Sequence, residues 1–174
     1  MRANKILGCS QTEPSDTDIS KSTLTTSFDS ENIIFLEPLS LDYQGIEKWY
    51  FKKVVPGLAA GTRKLIRIER DGRIVAMGIA KKEDAELKIC TVRVLPEYEG
   101  KGIGIRIFRD LMSWLGTSKP LLSVSQDKIL DFERIFEYYG FQLTSSHLGI
   151  YRTGMVEYFY NETILISAFF NRDK

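Results

Sequence analysis

Apolar and polar positions follow two different periods along the chain. Leu65–Glu69 and Ile74–Ala80 alternate with period two and flank Asp71-Gly72, a dipeptide suited to a tight hairpin turn. The segment from Ala85 to Val94 predicts a central strand, with Cys90, Val92 and Val94 sharing one face with Glu86 and Lys88. The period then changes. Ile103, Ile107, Phe108, Leu111, Met112 and Leu115 form a stripe at helical spacing, predicting a helix from about Ile103 to Leu115. A strand follows at Leu121–Ser125. The next helix starts between Asp127 and Asp131 and buries Phe132, Ile135, Phe136 and Tyr139. Phe141–Ser145 and Ile150–Tyr160 read as a closing pair of strands.

Upstream, Asn32–Leu36 reads as a first strand. Tyr43, Ile46, Tyr50 and Val54 fall at helical spacing and predict a helix from Leu41 to Val54, stopped by Pro56 and Gly57. Residues 1–31 are rich in Ser, Thr and Asp and too poor in large apolar residues to offset ordering entropy, so they predict a flexible arm. Residues 32–161 form one domain, and 162–174 form a tail in which Ile164–Ile166 suits either a short strand or a docking segment. Alternating strand and helix patterns place the chain in the α/β class, with helices on both faces of the sheet.

At 174 residues the chain is long enough for one sizeable core. A net charge of +1 disfavours a strongly electrostatic nucleic-acid binder. Arg63, Lys64, Arg67, Arg70 and Arg73 crowd the hairpin, but Glu69 and Asp71 interleave them, as on a solvated face. Cys9 and Cys90 lie in unlike surroundings, so no disulfide is expected, and with one histidine no familiar zinc site arises. No apolar run approaches the ~20 residues needed to span a bilayer. The expected location is the cytoplasm.

The most informative stretch joins the central strand to the next helix: Val92-Arg93-Val94-Leu95-Pro96-Glu97-Tyr98-Glu99-Gly100-Lys101-Gly102-Ile103-Gly104. Glycines at alternate positions let a backbone approach a ligand, and a helix N-terminus presents unpaired N–H groups and a positive dipole end. Together they suit a phosphate or pyrophosphate. The P-loop pattern fails for want of Gly-Lys-Ser/Thr, and the dinucleotide pattern for want of a third glycine. The stretch resembles the acyl-CoA motif of the GNAT superfamily, the CoA-dependent N-acetyltransferases. That motif reads Gln/Arg-x-x-Gly-x-Gly/Ala and lands on Glu99, Gly102 and Gly104. The preceding hairpin and the later Tyr138-Tyr139-Gly140-Phe141 extend the resemblance over roughly Asn32 to Asn161.

The resemblance implies a mixed, mostly antiparallel central sheet, splayed between the strand ending at Val94 and Leu121–Ser125. It implies acetyl-CoA as co-substrate and an amine acceptor, with direct attack of the amine on the thioester. Val92, Arg93 and Val94 would bind the pantetheine arm by backbone groups, and a strand N–H near Val94 would polarise the thioester carbonyl. Gly100, Lys101, Gly102, Ile103, Gly104 and Ile105 would cradle the pyrophosphate. Glu86, four residues before Cys90, resembles the base of the lysine-acetylating branch; alignment from the glycine loop puts Lys88 there instead. Tyr138 is the candidate acid, with Tyr139 and Tyr151 as alternatives. Three positions depart from the pattern. Glu99 replaces Gln or Arg, Phe136 stands where the family often has its thiolate-protonating tyrosine, and Ile129 where it often has Asn. Two further readings remain: an aminoacyl-tRNA-acetylating toxin-like enzyme, and a non-catalytic acyl-CoA sensor.

Overall fold

The computed structural model describes residues 27–41, 43–83 and 86–162. Most of the expected N-terminal arm, the tail from Thr163 and Ala85 lie outside the described residues. The chain divides into two compact units, Met1–Phe35 and Leu36–Lys174.

The first described element is α1, over 27–36. It replaces the strand expected at Asn32–Leu36 and takes in residues 27–31 of the expected arm. Its buried positions, Asp29, Asn32, Phe35 and Leu36, recur at helical spacing. A short apolar run cannot by itself tell strand from helix.

A 3₁₀ turn at Glu37–Leu41 leads to α2 (Ile46–Trp49), a π-helical turn (Tyr50–Val54) and α3 (Val55–Ala59). The helix predicted at Leu41–Val54 thus starts later and runs through Pro56 and Gly57. The wide turn explains this. The Val55 N–H donates to the Tyr50 carbonyl, five residues back. A π-turn loosens the spacing on which a helical proline normally clashes. Gly57 has a use of its own. A Cβ there would lie 2.6 Å from Arg63 Cγ, so only glycine lets α3 lie this close to the Arg63 side chain.

β1 (Arg63–Arg70), β2 (Arg73–Glu83) and β3 (Glu86–Val94) form an antiparallel sheet in that order. The hairpin closes as expected, with Arg70 opposite Arg73 and both Asp71 and Gly72 at positive φ. Along β3 the register slips. Ile79 pairs with Thr91 but Ala80 with Ile89, leaving Cys90 as the extra residue of a bulge. One inserted residue resets the alternation. Glu86 and Lys88 therefore share a face with Thr91 and Arg93, and not with Val92 and Val94 as the unbroken pattern predicted.

α4 (Ile103–Leu115) follows the glycine loop with the predicted bounds. It packs on the face that carries Ala76, Gly78, Ala80 and Ile89, where Ile107, Phe108, Leu111 and Leu115 join them in the core. The approach is close. A Cβ on Gly78 would lie 2.3 Å from Ile107 Cγ2. Every residue of β2 from Ile74 to Ala80 is buried, as for a strand covered on both faces.

β4 (Leu122–Ser125), β5 (Leu143–Leu148) and β6 (Val156–Tyr160) form a second antiparallel sheet, ordered β4-β6-β5. β5 starts and ends later than predicted, and β6 is shorter because it starts later, since Gly149 and Gly154 at positive φ shape the turn between them. α5 (Ile129–Tyr139) begins at a Lys128 cap; Asp127 is engaged by Ser125 and Arg152 instead. Leu122, Val124, Tyr158 and Tyr160 face the aromatic core around Phe108 and Phe136. Ser123, Ser125, Glu157 and Phe159 take the opposite face by alternation.

Candidate active site

Among the described residues the two sheets meet at a single parallel bridge, Lys88 with Leu121. The Ile89 N–H donates to the Leu121 carbonyl at 3.0 Å, and the Leu121 N–H to the Leu87 carbonyl at 2.9 Å. Beyond it no ladder joins β3 to β4. On its other side β3 is paired through to its end, where the Leu95 N–H donates to the Val75 carbonyl. Strand alternation then directs the Arg93 N–H to β2 and those of Val92 and Val94 into the opening. These open edges can take an extended, amide-bearing ligand as an added strand.

The opening leads to the glycine loop. Gly100 and Gly102 both lie at positive φ, and Gly102 caps α4 in the left-handed region. No side chain caps α4, and the first bond to its cap runs from the Arg106 N–H to the Gly102 carbonyl. The N–H groups of Gly102, Ile103, Gly104 and Ile105 therefore have no helical partner. They form the donor set a pyrophosphate needs. Gly104 has a packing reason too, since a Cβ there would lie 3.1 Å from Ile135 Cδ1. Lys101 turns back, donating from Nζ to the Glu97 carbonyl at 2.8 Å above the Tyr98 ring. Glu99 is exposed.

Behind the first turn of α4, the Tyr139 hydroxyl donates to the Ile105 carbonyl at 3.0 Å. Its ring lies among Phe108, Phe141 and Tyr138. Tyr139 is thus a structural brace. Tyr138 is 70% exposed on α5. Phe136 is buried against Phe141 and Tyr160.

On the face opposite α4, around the bulge, lies a cavity of about 280 Å³. Lys81, Lys88, Cys90 and Thr91 line it from the first sheet and Ser123 from β4, with Tyr43, Trp49 and Tyr151 as aromatic walls. Tyr43 and Tyr151 meet edge to face at 5.4 Å. Glu86 lies on the same face of β3 as Lys88 and is ion-paired with Lys81. Arg63 also lines the cavity and pairs with Glu83 at 3.3 Å. Burial raises the pKa of the Cys90 thiol, against the charges of Lys88, Arg63 and Lys81, which keeps it protonated and a poor nucleophile.

Sequence reasoning passed over Glu157. It is 3% exposed, and its Oε1 has no hydrogen-bond partner. Its side chain bonds with Ser123 and Tyr43, both of which line the cavity. Burial pushes its carboxyl above the usual range, while those two hydrogen bonds and the charge of Lys88 pull it down. The alternation of Val156-Glu157-Tyr158-Phe159-Tyr160 was the available signal, since it sets one carboxylate on a buried face.

The model of the acetyltransferase (GNAT) family matches residues 28–119, over half of the chain. The protein belongs to the GNAT family. No curated protein matches its sequence. Among solved structures, this GNAT protein resembles one described as a GNAT-family acetyltransferase from Desulfovibrio desulfuricans. The TM-score is 0.54 at 16% identity, covering 66% of this chain and 76% of that one. An aminoglycoside 6′-N-acetyltransferase complexed with coenzyme A scores 0.52 at 13% identity, covering 72% and 86%. The ribosomal-protein-S18-alanine N-acetyltransferase from Escherichia coli scores 0.50 at 18% identity, covering 60% and 73%. At these identities the likeness establishes the fold. No helix among the described residues is long and apolar enough to cross a membrane.

Proposed function

We propose that the protein transfers an acetyl group from acetyl-CoA to a primary amine by direct attack. The observation that carries this reading is the convergence of two unpaired backbone arrays. The free strand edge of Val92 and Val94 runs toward the uncapped first turn of α4. The donor set fits the co-substrate. Gly100, Lys101, Gly102, Ile103, Gly104 and Ile105 would hold the pyrophosphate by N–H groups. Val92, Arg93 and Val94 would hold the pantetheine arm, with the Val94 N–H placed to polarise a carbonyl. Acetyl-CoA supplies the activated acetyl group; the protein supplies binding and orientation.

The acceptor would enter from the cavity over the Cys90 bulge, since that cavity opens beside the same strand edge. Its lining is mixed. The charges of Arg63 and Lys81 are matched by Glu83 and Glu86, leaving Lys88 and three aromatic rings to meet the acceptor. That composition favours a small polar or aromatic amine over a long polyanion, and so disfavours the tRNA-directed reading. The resemblance assigns proton removal to Glu86 and proton return to Tyr138. Phe136, buried where the family often has a tyrosine acid, supports the acyl-CoA sensor as the second reading.

The test is mass-spectrometric screening of amines, peptides and RNA with acetyl-CoA, beside calorimetry of acetyl-CoA binding. The expected result is tight acetyl-CoA binding with acetylation of one class of small amines. Binding without turnover across the panel selects the sensor. Acetylation of aminoacyl-tRNA with a steep salt dependence selects the tRNA reading.

A further inference from the structure

Glu157 has no task in the scheme above, yet it is the most buried carboxylate among the described residues. Buried polar atoms are nearly always paired, and one that is not calls for a reason. Among the described residues only two buried side-chain polar atoms lack partners, Arg63 Nε and Glu157 Oε1. Arg63 Nε lies under Gly57, in the close approach of α3. Glu157 has no such packing reason.

Its surroundings connect it to the cavity. It stands opposite Ser125 on β4 and His147 on β5. Lys88 from β3 and Asp127 from the turn after β4 act on it electrostatically, and Ser123 and Tyr43 bond to it. His147 bonds to Ser145, and Asp127 is held by Ser125 and Arg152. The hydroxyls of Ser123 and Tyr43 thus lie between the cavity and a carboxylate with a spare acceptor atom. Glu86 differs in having Lys81 as a salt-bridge partner.

We infer that Glu157 is the proton acceptor for the incoming amine, reached through the hydroxyls of Ser123 and Tyr43 at the cavity wall. This deepens the acetyl-transfer reading and rests on it. The acceptor arrives as an ammonium. One of its protons passes to a relay hydroxyl, whose own proton moves on to Glu157. The neutral nitrogen forms its bond to the thioester carbonyl carbon as the carbon–sulfur bond breaks. A second nitrogen proton ends on the departing sulfur, and Glu157 returns its proton to solvent. The products are the N-acetylated amine, CoA thiol and one released proton. Because Glu157 acts through other groups, it is a positioning residue in the relay. Its raised carboxyl suits the task, since a base is most useful with a pKa near the working pH.

The test has two arms on the full chain. The first needs no turnover. Infrared difference titration, with the Glu157 band identified by its loss in Glu157→Gln, follows the carboxyl in the free protein and with benzylamine as the ammonium probe. The expected midpoint lies above the ordinary glutamate value of about 4.3. It should rise further in Ser123→Ala and Tyr43→Phe, and fall when benzylamine binds. An ordinary midpoint, or one indifferent to both hydroxyl variants and to benzylamine, overturns the relay. The second arm uses the best amine from the screen. Glu157→Gln should lower kcat by roughly 10²–10⁴-fold and remove the acidic limb of the pH profile, with unchanged acetyl-CoA affinity. Glu157→Asp should keep that limb at a moved midpoint. A wild-type protein that binds acetyl-CoA and acetylates nothing ends the acetyl-transfer reading, and the relay with it. An active wild type whose Glu157→Gln variant keeps its rate and pH profile ends the relay alone.

Discussion

Lys88 and Leu121 make the only bridge between the two sheets among the described residues, and everything C-terminal to it on β3 opens. Hydrogen exchange reads this directly. The amides of Ile89 and Leu121 should exchange slowly, and those of Val92 and Val94 faster than that of Arg93, which β2 protects. Acetyl-CoA should slow Val92 and Val94 by at least tenfold. Equal rates along the strand, unchanged by the co-substrate, would mean that the edge is not the binding surface.

The glycine loop predicts a separation of strain from packing. Gly102→Ala adds a Cβ that meets nothing within 4 Å, so its only penalty is the left-handed backbone, about 1–2 kcal/mol. The loop should relax away from that conformation and acetyl-CoA affinity should fall about tenfold or more, with little change in Tm. Gly104→Val should lose affinity and also Tm, because Ile135 is already 3.1 Å from the Cβ position. Calorimetry and thermal melts on both variants check the pair.

Gly78→Ala tests how closely α4 must sit on the sheet. Its new Cβ would meet Ile107 Cγ2 at 2.3 Å and Leu111 Cδ1 at 3.0 Å. Overpacking of this kind costs about 1–3 kcal/mol. The expected outcome is a lower Tm and weaker acetyl-CoA binding, since the displaced helix carries the proposed pyrophosphate donors.

Glu99→Gln removes an exposed carboxylate beside the proposed pyrophosphate site. Affinity for acetyl-CoA should rise severalfold at low ionic strength and the gain should shrink with salt, because an exposed charge is screened. Identical affinities in dilute buffer would show that the carboxylate is directed away from the pyrophosphate.

Stability should also report on Glu157. Its carboxyl is raised in the folded state, so the folded protein binds that proton more tightly than the unfolded chain does. The associated stability is fully present below the unfolded value and is lost as pH rises through the folded value. Glu157→Gln should therefore melt higher than wild type at neutral pH. The gap should close as pH falls through the carboxylate range.

Much of this fold was legible in the sequence because its signals were local. The Asp71-Gly72 turn, the apolar stripe of α4 and the strand-glycine-helix junction all report on themselves. The misreadings came where a distant or geometric event overrode a pattern. One inserted residue at Cys90 reversed which β3 side chains face the cavity. A π-turn carried the helix through Pro56, a residue that ordinarily ends one. Asn32–Leu36 was too short a run to declare its period. At the candidate site, the glycine loop and the strand edge could be named from the sequence, because the proposed binding is by backbone groups and glycines mark them. Glu157, Ser123 and Tyr43 come from three separated segments; strand register brings the first two together, and the turn before α2 adds the third.

The hydrogen bond from Tyr139 to the Ile105 carbonyl has a consequence for how a ligand would be met. A loop rich in glycine ought to be supple, and a supple loop loses entropy when it closes on a phosphate. Here a phenol rooted in the aromatic core holds the first turn of α4 from behind. That loss was taken when the chain folded, so the donors stand ready before anything arrives.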